Sequence, residues 1–340
     1  MLVQANMRDG IPLRDQSVQC IVTSPPYYKV RDYGFWEQIG LERTWREWAD
    51  SIMGVMAECY RVLEPNGVLW LNLGDKYSQS GGAGKNASKA RQGRLFQQSN
   101  PAGSSKPEDG YPAKCLMGLP WRIAFRMIDE QRWILRRDLI WHKPCPMPES
   151  PRDRPFTAHE YVFQFTKTRN YFWDREGMFE PVTGGAHARG NGIGPKTARS
   201  SAPGRRDTQV AIRFPQGWQK GRGLDHRVKS DEMRVKSRNN QSFSGAVTKL
   251  IDRRVRRSVW TIPNRGVKAA HFATFPPDLI KPMILSSTRP GDVVFDPFFG
   301  AGTVGVVAAQ TGRRWVGCEY KSEYIEIAAR RIAAVERSAN

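Results

Sequence analysis

Residues Val293–Gly305 read VVFDPFFGAGTVG. A short apolar run ends in an acid and a proline, and Gly300-x-Gly302-x-x-Gly305 follows at once. A glycine triplet alone is weak evidence, but here it leaves a strand and opens a helix, the context in which such a loop can take a tight turn and approach a ligand closely. The helix N-terminus adds backbone N–H groups suited to an anionic or strongly polar ligand. The next apolar run, RRWVGCEY (Arg313–Tyr320), carries Glu319 at its end, 319 − 300 = 19 residues after Gly300. About 20 residues is the spacing at which an acidic side chain meets ribose hydroxyls in a nucleotide-binding βαβ unit.

The position of this unit in the chain decides the topology. Only 340 − 319 = 21 residues follow Glu319, enough for one helix (Ser322–Val335) and no further strand. The sheet must therefore take its other strands from the N-terminal half, and the last helix must lead in space to a strand at Leu2–Ala5. Strand candidates there are Ser17–Val22 and Val68–Asp75, separated by a helix from Thr44. Thr44 and Glu47 form a capping box, and Trp45, Trp48, Ile52, Val55, Met56, Cys59 and Leu63 follow at helical spacing. EPNG (Glu64–Gly67) is expected to end this helix. Further on come a helix at Leu119–Ile128 and strands at Trp133–Lys143, Glu160–Thr168 and Asn170–Asp174; the regular pattern resumes at Ser258–Pro263 and continues into a helix at Pro276–Ser286. Strands alternating with helices predict an α/β fold: a doubly wound, mostly parallel sheet, circularly permuted. Its ligand crevice lies at the carboxyl ends of the strands, where the strand order reverses.

A second motif leaves such an end. TSPPYY (Thr23–Tyr28) follows the buried run QCIV. Two prolines cannot continue a ladder, and each fixes its own φ while restricting its predecessor. The result is a stiff loop presenting a serine hydroxyl, a proline carbonyl and an aromatic face, predicted to confront DPFFGAG across the crevice.

The formal charge is +20, and 18 Lys/Arg against 5 Asp/Glu between Gly184 and Arg257 supply about 13 of that excess. Such a field suits a polyanion, nucleic acid above all. Neither a long apolar run nor a basic amphipathic helix favours a membrane. Five scattered cysteines without CxxC or companion histidines argue against a zinc site and a disulfide framework, and no signal peptide is visible, so a cytoplasmic protein is expected. Residues 76–107 lose all periodicity, hold six basic residues and no acidic one, and are expected to form a mobile functional loop. The expected organisation is a core half at 1–183, a basic loop-rich insert at 184–257, and the second core half at 258–340.

Together TSPPYY, HFATFPPDLI (His271–Ile280) and DPFFGAG, in this order and with a variable insert between the halves, resemble the permuted (beta-class) amino-group DNA methyltransferases, which use S-adenosyl-L-methionine. The resemblance covers most of the chain. It implies a Rossmann-like methyltransferase core with an inserted target-recognition region, and methyl transfer to the exocyclic amine of a base flipped out of double-stranded DNA. Ser24 and the carbonyl of Pro25 would accept from the amine, Pro26 would hold the turn, and Tyr27 would stack on the base. For the cofactor it implies Asp296 and Pro297 near the methionine moiety and Phe298 near the adenosine or sulfonium. Gly300, Gly302 and Thr303 would lie along the turn, with Glu319 on the ribose and Thr23, His271 and Phe275 nearby. Where the family has an acid at the tip of the first strand, this chain has Asn6, an amide able to donate and accept. The resemblance also implies a bacterial or phage protein, with a cognate restriction endonuclease as a candidate partner and a monomeric or homodimeric state.

Some readings stay open at this point. One of Phe298 and Phe299 is expected in the core beneath the helix, and Tyr27 and Tyr28 could both be packing aromatics. In the family it resembles, serine at the first position of this motif is commoner in cytosine enzymes and aspartate in adenine enzymes, so the resemblance implies cytosine N4, with adenine N6 as the alternative. Methylation of a ring carbon would need a cysteine nucleophile, for which Cys145 in KPCPMP is the candidate. A catalytically inactive DNA-binding protein on the same scaffold is the non-enzymatic alternative.

Overall fold

A computed structural model describes residues 1–35, 37–78, 107–108, 110–146, 148–181, 253–264 and 275–339. His271, most of the 76–107 loop and nearly all of the 184–257 insert lie outside them. The chain divides into two units, Met1–Met178 with Val255–Asn340, and Phe179–Arg254.

The larger unit is built on an eight-stranded sheet. In chain order its elements are β1 (Leu2–Gln4), β2 (Val18–Thr23), α1 (Trp45–Val62), β3 (Leu63–Leu73), α2 (Leu119–Gln131), β4 (Ile134–His142) and β5 (His159–Thr166). β6 (Phe179–Pro181) and β7 (Arg253–Val255) pair as a separate two-stranded sheet, all of it but Val255 within the smaller unit. The larger unit resumes with β8 (Val259–Thr261), α3 (Pro277–Ser287), β9 (Val293–Asp296), α4 (Thr303–Gln310), β10 (Arg314–Glu319) and α5 (Ser322–Ala339). The strand order is β1-β10-β9-β2-β3-β5-β4-β8. β1, β10, β9, β2 and β3 run parallel, while β5 is antiparallel to both β3 and β4. β10 leads through α5 back to β1, so the two ends of the chain complete one sheet, as the permuted reading requires.

Alternation along the buried strands explains the two helical layers. Leu69 and Leu71 of β3 join the core on the α1 and α2 face, where Trp48, Ile52, Met56, Ile123 and Met127 pack. Val68 and Trp70 point to the opposite face, against α3, α4 and α5 through Ile280, Met283, Val304, Val307 and Ile332. The capping box forms as expected: Thr44 accepts from the Glu47 N–H, and the Glu47 carboxylate returns to the Thr44 N–H.

The helix ends at Val62, just before EPNG as expected, but the strand after it starts earlier than Val68: β3 begins at Leu63 and carries a register shift against β2 between Val18 and Cys20. Gly67 makes this possible, since a Cβ there would lie 2.6 Å from Leu63 Cδ1 and 2.8 Å from the Gln19 carbonyl. NYFWD (Asn170–Asp174) is not a strand. Its backbone bonds go singly to two elements, Phe172 N–H to Asn66 O (2.9 Å) and Asp174 N–H to Ser286 O (2.7 Å), while Trp173 packs on Trp70.

Candidate active site

β9 and β2 are neighbours whose chains continue to opposite sides of the sheet, which is where the order reverses. A cleft of about 680 Å³ opens over their carboxyl ends. Ser24, Pro25, Pro26 and Tyr27 line it from one motif, and Asp296, Pro297, Phe298, Gly300 and Thr303 from the other. Asn6, Phe275 and Glu319 line it as well.

The floor is tied together by carboxylates. Asp296, 2% exposed, accepts from Thr23 Oγ1 (2.8 Å) and from the Phe298 N–H (3.0 Å). Burial pushes its pKa up to about 7, against the stabilising pull of those two bonds. Glu319 closes the tip of β10 onto the glycine turn: Oε2 accepts from the Gly300 N–H (2.8 Å), and Oε1 accepts from the Tyr320 and Lys321 N–H groups (3.0 Å each). Burial raises its pKa too, opposed by these backbone donors. Asn6 stands beside it at the end of β1. Its side chain accepts from the Arg8 N–H (3.1 Å), capping a short 3-10 turn, and its amide NH2 remains a donor.

The glycines divide into two kinds. Gly300 and Gly302 have φ of +50° and +75°, which suits the reversal between β9 and α4. Gly302 is outside the cleft lining, however, because its Cα faces α5, where a Cβ would meet Ala328 at 2.7 Å. It lies along the turn and serves the packing of α4 against α5. Both phenylalanines line the cleft, but they differ in burial: Phe299 is buried and stacks on Trp315 (5.6 Å), whereas Phe298 is half-buried.

At the other motif, Tyr28 is wholly buried, with its hydroxyl on Glu108 Oε2 (2.8 Å), and belongs to the core. Tyr27 lines the cleft. Its ring lies against Gly74, where a Cβ would come within 2.7 Å of Cε2. Its hydroxyl donates to Glu160 Oε2 (2.7 Å), accepts from Asn72 Nδ2 (2.7 Å), and lies 3.1 Å from Ser24 Oγ. Burial and the adjacent Glu160 carboxylate hold the Tyr27 phenol well above its ordinary range. Trp48 Nε1 donates to the Pro26 carbonyl (2.9 Å), which anchors the double-proline turn to α1.

Asn72, Gly74, Lys143 and Glu160 were not singled out from sequence. Asn72 and Gly74 sit in the polar tip of LWLNLGD, a signal that was present; Glu160 shows only as an acid at the start of an apolar run. On the far rim, Phe35 stacks on Tyr320 at 4.1 Å. Among the described residues no group of side chains fits a metal ion, and no helix is long and apolar enough to cross a membrane.

A family model described as DNA methylase, of the N6/N4 methyltransferase type, matches residues 18–330. The chain belongs to this DNA methylase family. It is 39% identical over 320 residues to the Type II methyltransferase M.XycI of Xanthomonas campestris pv. cyanopsidis, covering 93% of this methylase and 81% of the relative. It is 31% identical over 332 residues to M.SmaI of Serratia marcescens, covering 97% and 90%. Among solved structures, the PvuII DNA methyltransferase (cytosine-N4-specific) superposes with a TM-score of 0.56 at 18% identity, over 99% of this methylase and 91% of that chain. The Thermus thermophilus protein TTHA0409, complexed with S-adenosyl-L-methionine, gives 0.53 at 21% identity, over 98% and 93%.

Proposed function

We propose that this DNA methylase transfers a methyl group from S-adenosyl-L-methionine to N4 of cytosine in double-stranded DNA. The observation that carries the reading is the placement of Ser24, a neutral acceptor at the head of a rigid double-proline turn, over the same cleft as Asp296 and Glu319.

The residues present fit the cofactor. It is a cation with an adenosine, and the cleft offers one buried and one half-buried carboxylate with raised pKa values, an aromatic rim and a glycine turn. Asp296 and Pro297 would hold the methionine end, Phe298 the adenosine, and Glu319 the ribose, with Asn6 at the adenine end, Phe275 on the wall and Thr23 behind Asp296. When bound, the cofactor supplies an electrophilic methyl on a sulfonium.

The chain's own work is positioning and electrostatics. An exocyclic amine is a poor nucleophile because its lone pair is delocalised into the ring. Ser24 Oγ and the Pro25 carbonyl accept its two N–H groups and draw its lone pair out of conjugation with the ring, toward the methyl donor. The family resemblance assigns the second acceptor to the Pro25 carbonyl, while Trp48 anchors the Pro26 carbonyl. The Tyr27 ring offers a stacking face for a flipped base. The basic insert supplies phosphate and base contacts, its arginines suiting guanine edges.

Ser24→Ala tests the assignment. Loss of one preorganised hydrogen-bonding partner should slow methyl transfer by on the order of 10²–10³-fold, while calorimetric affinity for S-adenosyl-L-methionine stays as in the wild type. Adenine N6 as the labelled position would keep the mechanism and reverse the base.

A further inference from the structure

Glu160 reaches the cleft because β5 runs antiparallel to its parallel neighbours, so its first residues lie at their carboxyl ends. Its carboxylate takes three partners: Tyr27 Oη (2.7 Å) and Asn72 Nδ2 (2.8 Å) on Oε2, and the Lys143 ammonium on Oε1. Lys143, Glu160 and Asn72 all line the cleft, and both charged side chains are less than one-fifth exposed.

The donors can be assigned one by one. A carboxylate only accepts, so the single phenol proton of Tyr27 lies on Glu160. Asn72 has two amide protons; its two short contacts, to Glu160 Oε2 (2.8 Å) and Tyr27 Oη (2.7 Å), take them, and a longer one runs to Ser24 Oγ (3.3 Å). The remaining contact at Tyr27, 3.1 Å from Ser24 Oγ, can then only run from the serine hydroxyl to the tyrosine oxygen. With its proton committed, Ser24 has a lone pair to offer and no hydrogen. Glu160 thus sets the direction of the whole chain.

We propose that Glu160 is a positioning residue that polarises the Ser24–Tyr27 pair so that Ser24 accepts from the target amine, and that it receives the proton the methylated amine releases. The proposal rests on amine methylation as read above. Once the new N–C bond has formed, the nitrogen is cationic and one N–H bond breaks, its electron pair returning to nitrogen. The proton passes to Ser24 Oγ, the serine proton to Tyr27 Oη, and the tyrosine proton to Glu160 Oε2. One N–H bond is lost, one carboxyl O–H bond is gained, and the carboxyl group later releases its proton to water.

Lys143 makes the idea sharply testable. In Glu160→Gln the ammonium attracts the amide oxygen, which leaves the amide NH2 facing Tyr27. That reverses the chain: Tyr27 must donate to Ser24, whose own proton then points at the amine. Single-turnover transfer of labelled methyl from S-adenosyl-L-methionine to unmethylated genomic DNA, with both saturating, should fall on the order of 10²-fold in Glu160→Gln. Calorimetric affinity for the cofactor and the unfolding midpoint should stay near wild type. Adding Lys143→Met frees the amide to turn round and should regain on the order of tenfold. Tyr27→Phe breaks the same path, and Tyr27→Phe/Glu160→Gln should be no slower than the slower single variant.

Glu160→Gln within about threefold of the wild-type rate, or losses that multiply in the double variant, would overturn the proposal. If Glu160→Gln does not fold, Tyr27→Phe carries the test alone, and a wild-type rate there overturns it. A wild-type protein that labels no DNA amine would instead defeat the underlying reading.

Discussion

Thr23 Oγ1 donates a 2.8 Å hydrogen bond to Asp296 Oδ1, joining residues 273 positions apart in the chain. The first residue of TSPPYY is thereby bonded to the acid of DPFFGAG. β2 and β9 lie side by side at the point where the strand order reverses, so Ser24 and the turn at Gly300 leave from neighbouring strand ends. Circular permutation separates the two motifs in sequence, and the sheet restores their contact.

Asp296 should make stability and cofactor binding depend on pH in opposite senses. Its folded pKa of about 7 stands above the ordinary value of 3.8, so the folded state holds the proton longer. Stability from the neutral acid is full below 3.8 and declines as pH rises towards 7, because the unfolded chain ionises first. At pH 8 the buried charge costs at most about 4 kcal/mol. Asp296→Asn, followed by urea unfolding, should gain on the wild type between pH 5 and pH 8. Binding of the cationic cofactor should tighten with rising pH up to about 7 in the wild type and show no such dependence through this residue in the variant. Parallel unfolding curves at the two pH values would refute the assignment.

Gly74→Ala should damage catalysis more than folding. The added methyl would sit 2.7 Å from the Tyr27 ring, and that ring is held by Ser24, Asn72 and Glu160 through its hydroxyl. Displacement of about 1 Å can cost on the order of 10²-fold in rate. Steady-state kinetics should show that loss in kcat, with the thermal midpoint little changed. An unaltered kcat would mean Tyr27 has slack that the network does not suggest.

Cys145→Ala should leave activity within about twofold, as expected for an exposed side chain away from a site. Cys145 is exposed and is not among the cleft-lining residues. A loss above tenfold would revive ring-carbon methylation through a cysteine nucleophile.

Replacing Arg234, Lys236 and Arg238 together by Ala tests the insert. If each meets a phosphate, the slope of log affinity against log salt should become shallower by about 0.9 for every phosphate that is no longer neutralised. Affinity for S-adenosyl-L-methionine should not move. An unchanged slope would assign these charges to some role other than DNA.

The glycine turn, its acid at Glu319 and the rigid proline loop could be read from sequence because local spacing and backbone chemistry dictate them. The division of labour between Phe298 and Phe299 could not. It is settled by Gly317 on the next strand, where a Cβ would lie 2.2 Å from the Phe299 ring, so only a glycine there lets that ring sink into the core. Glu160 was hidden for a topological reason: EYVFQF reads the same whether its strand runs parallel or antiparallel, and only the antiparallel direction brings its first residues to the cleft. NYFWD misled because aromatic and β-branched runs favour strands only where a neighbouring edge is available, and its backbone partners are split between β3 and α3.

The most direct measurement uses the purified protein, labelled S-adenosyl-L-methionine and mixed unmethylated genomic DNA, digested to nucleosides and resolved by mass spectrometry. The account predicts label in N4-methylcytosine, greatly diminished with Ser24→Ala. Label in C5-methylcytosine, or none in any base despite firm cofactor binding, would contradict it.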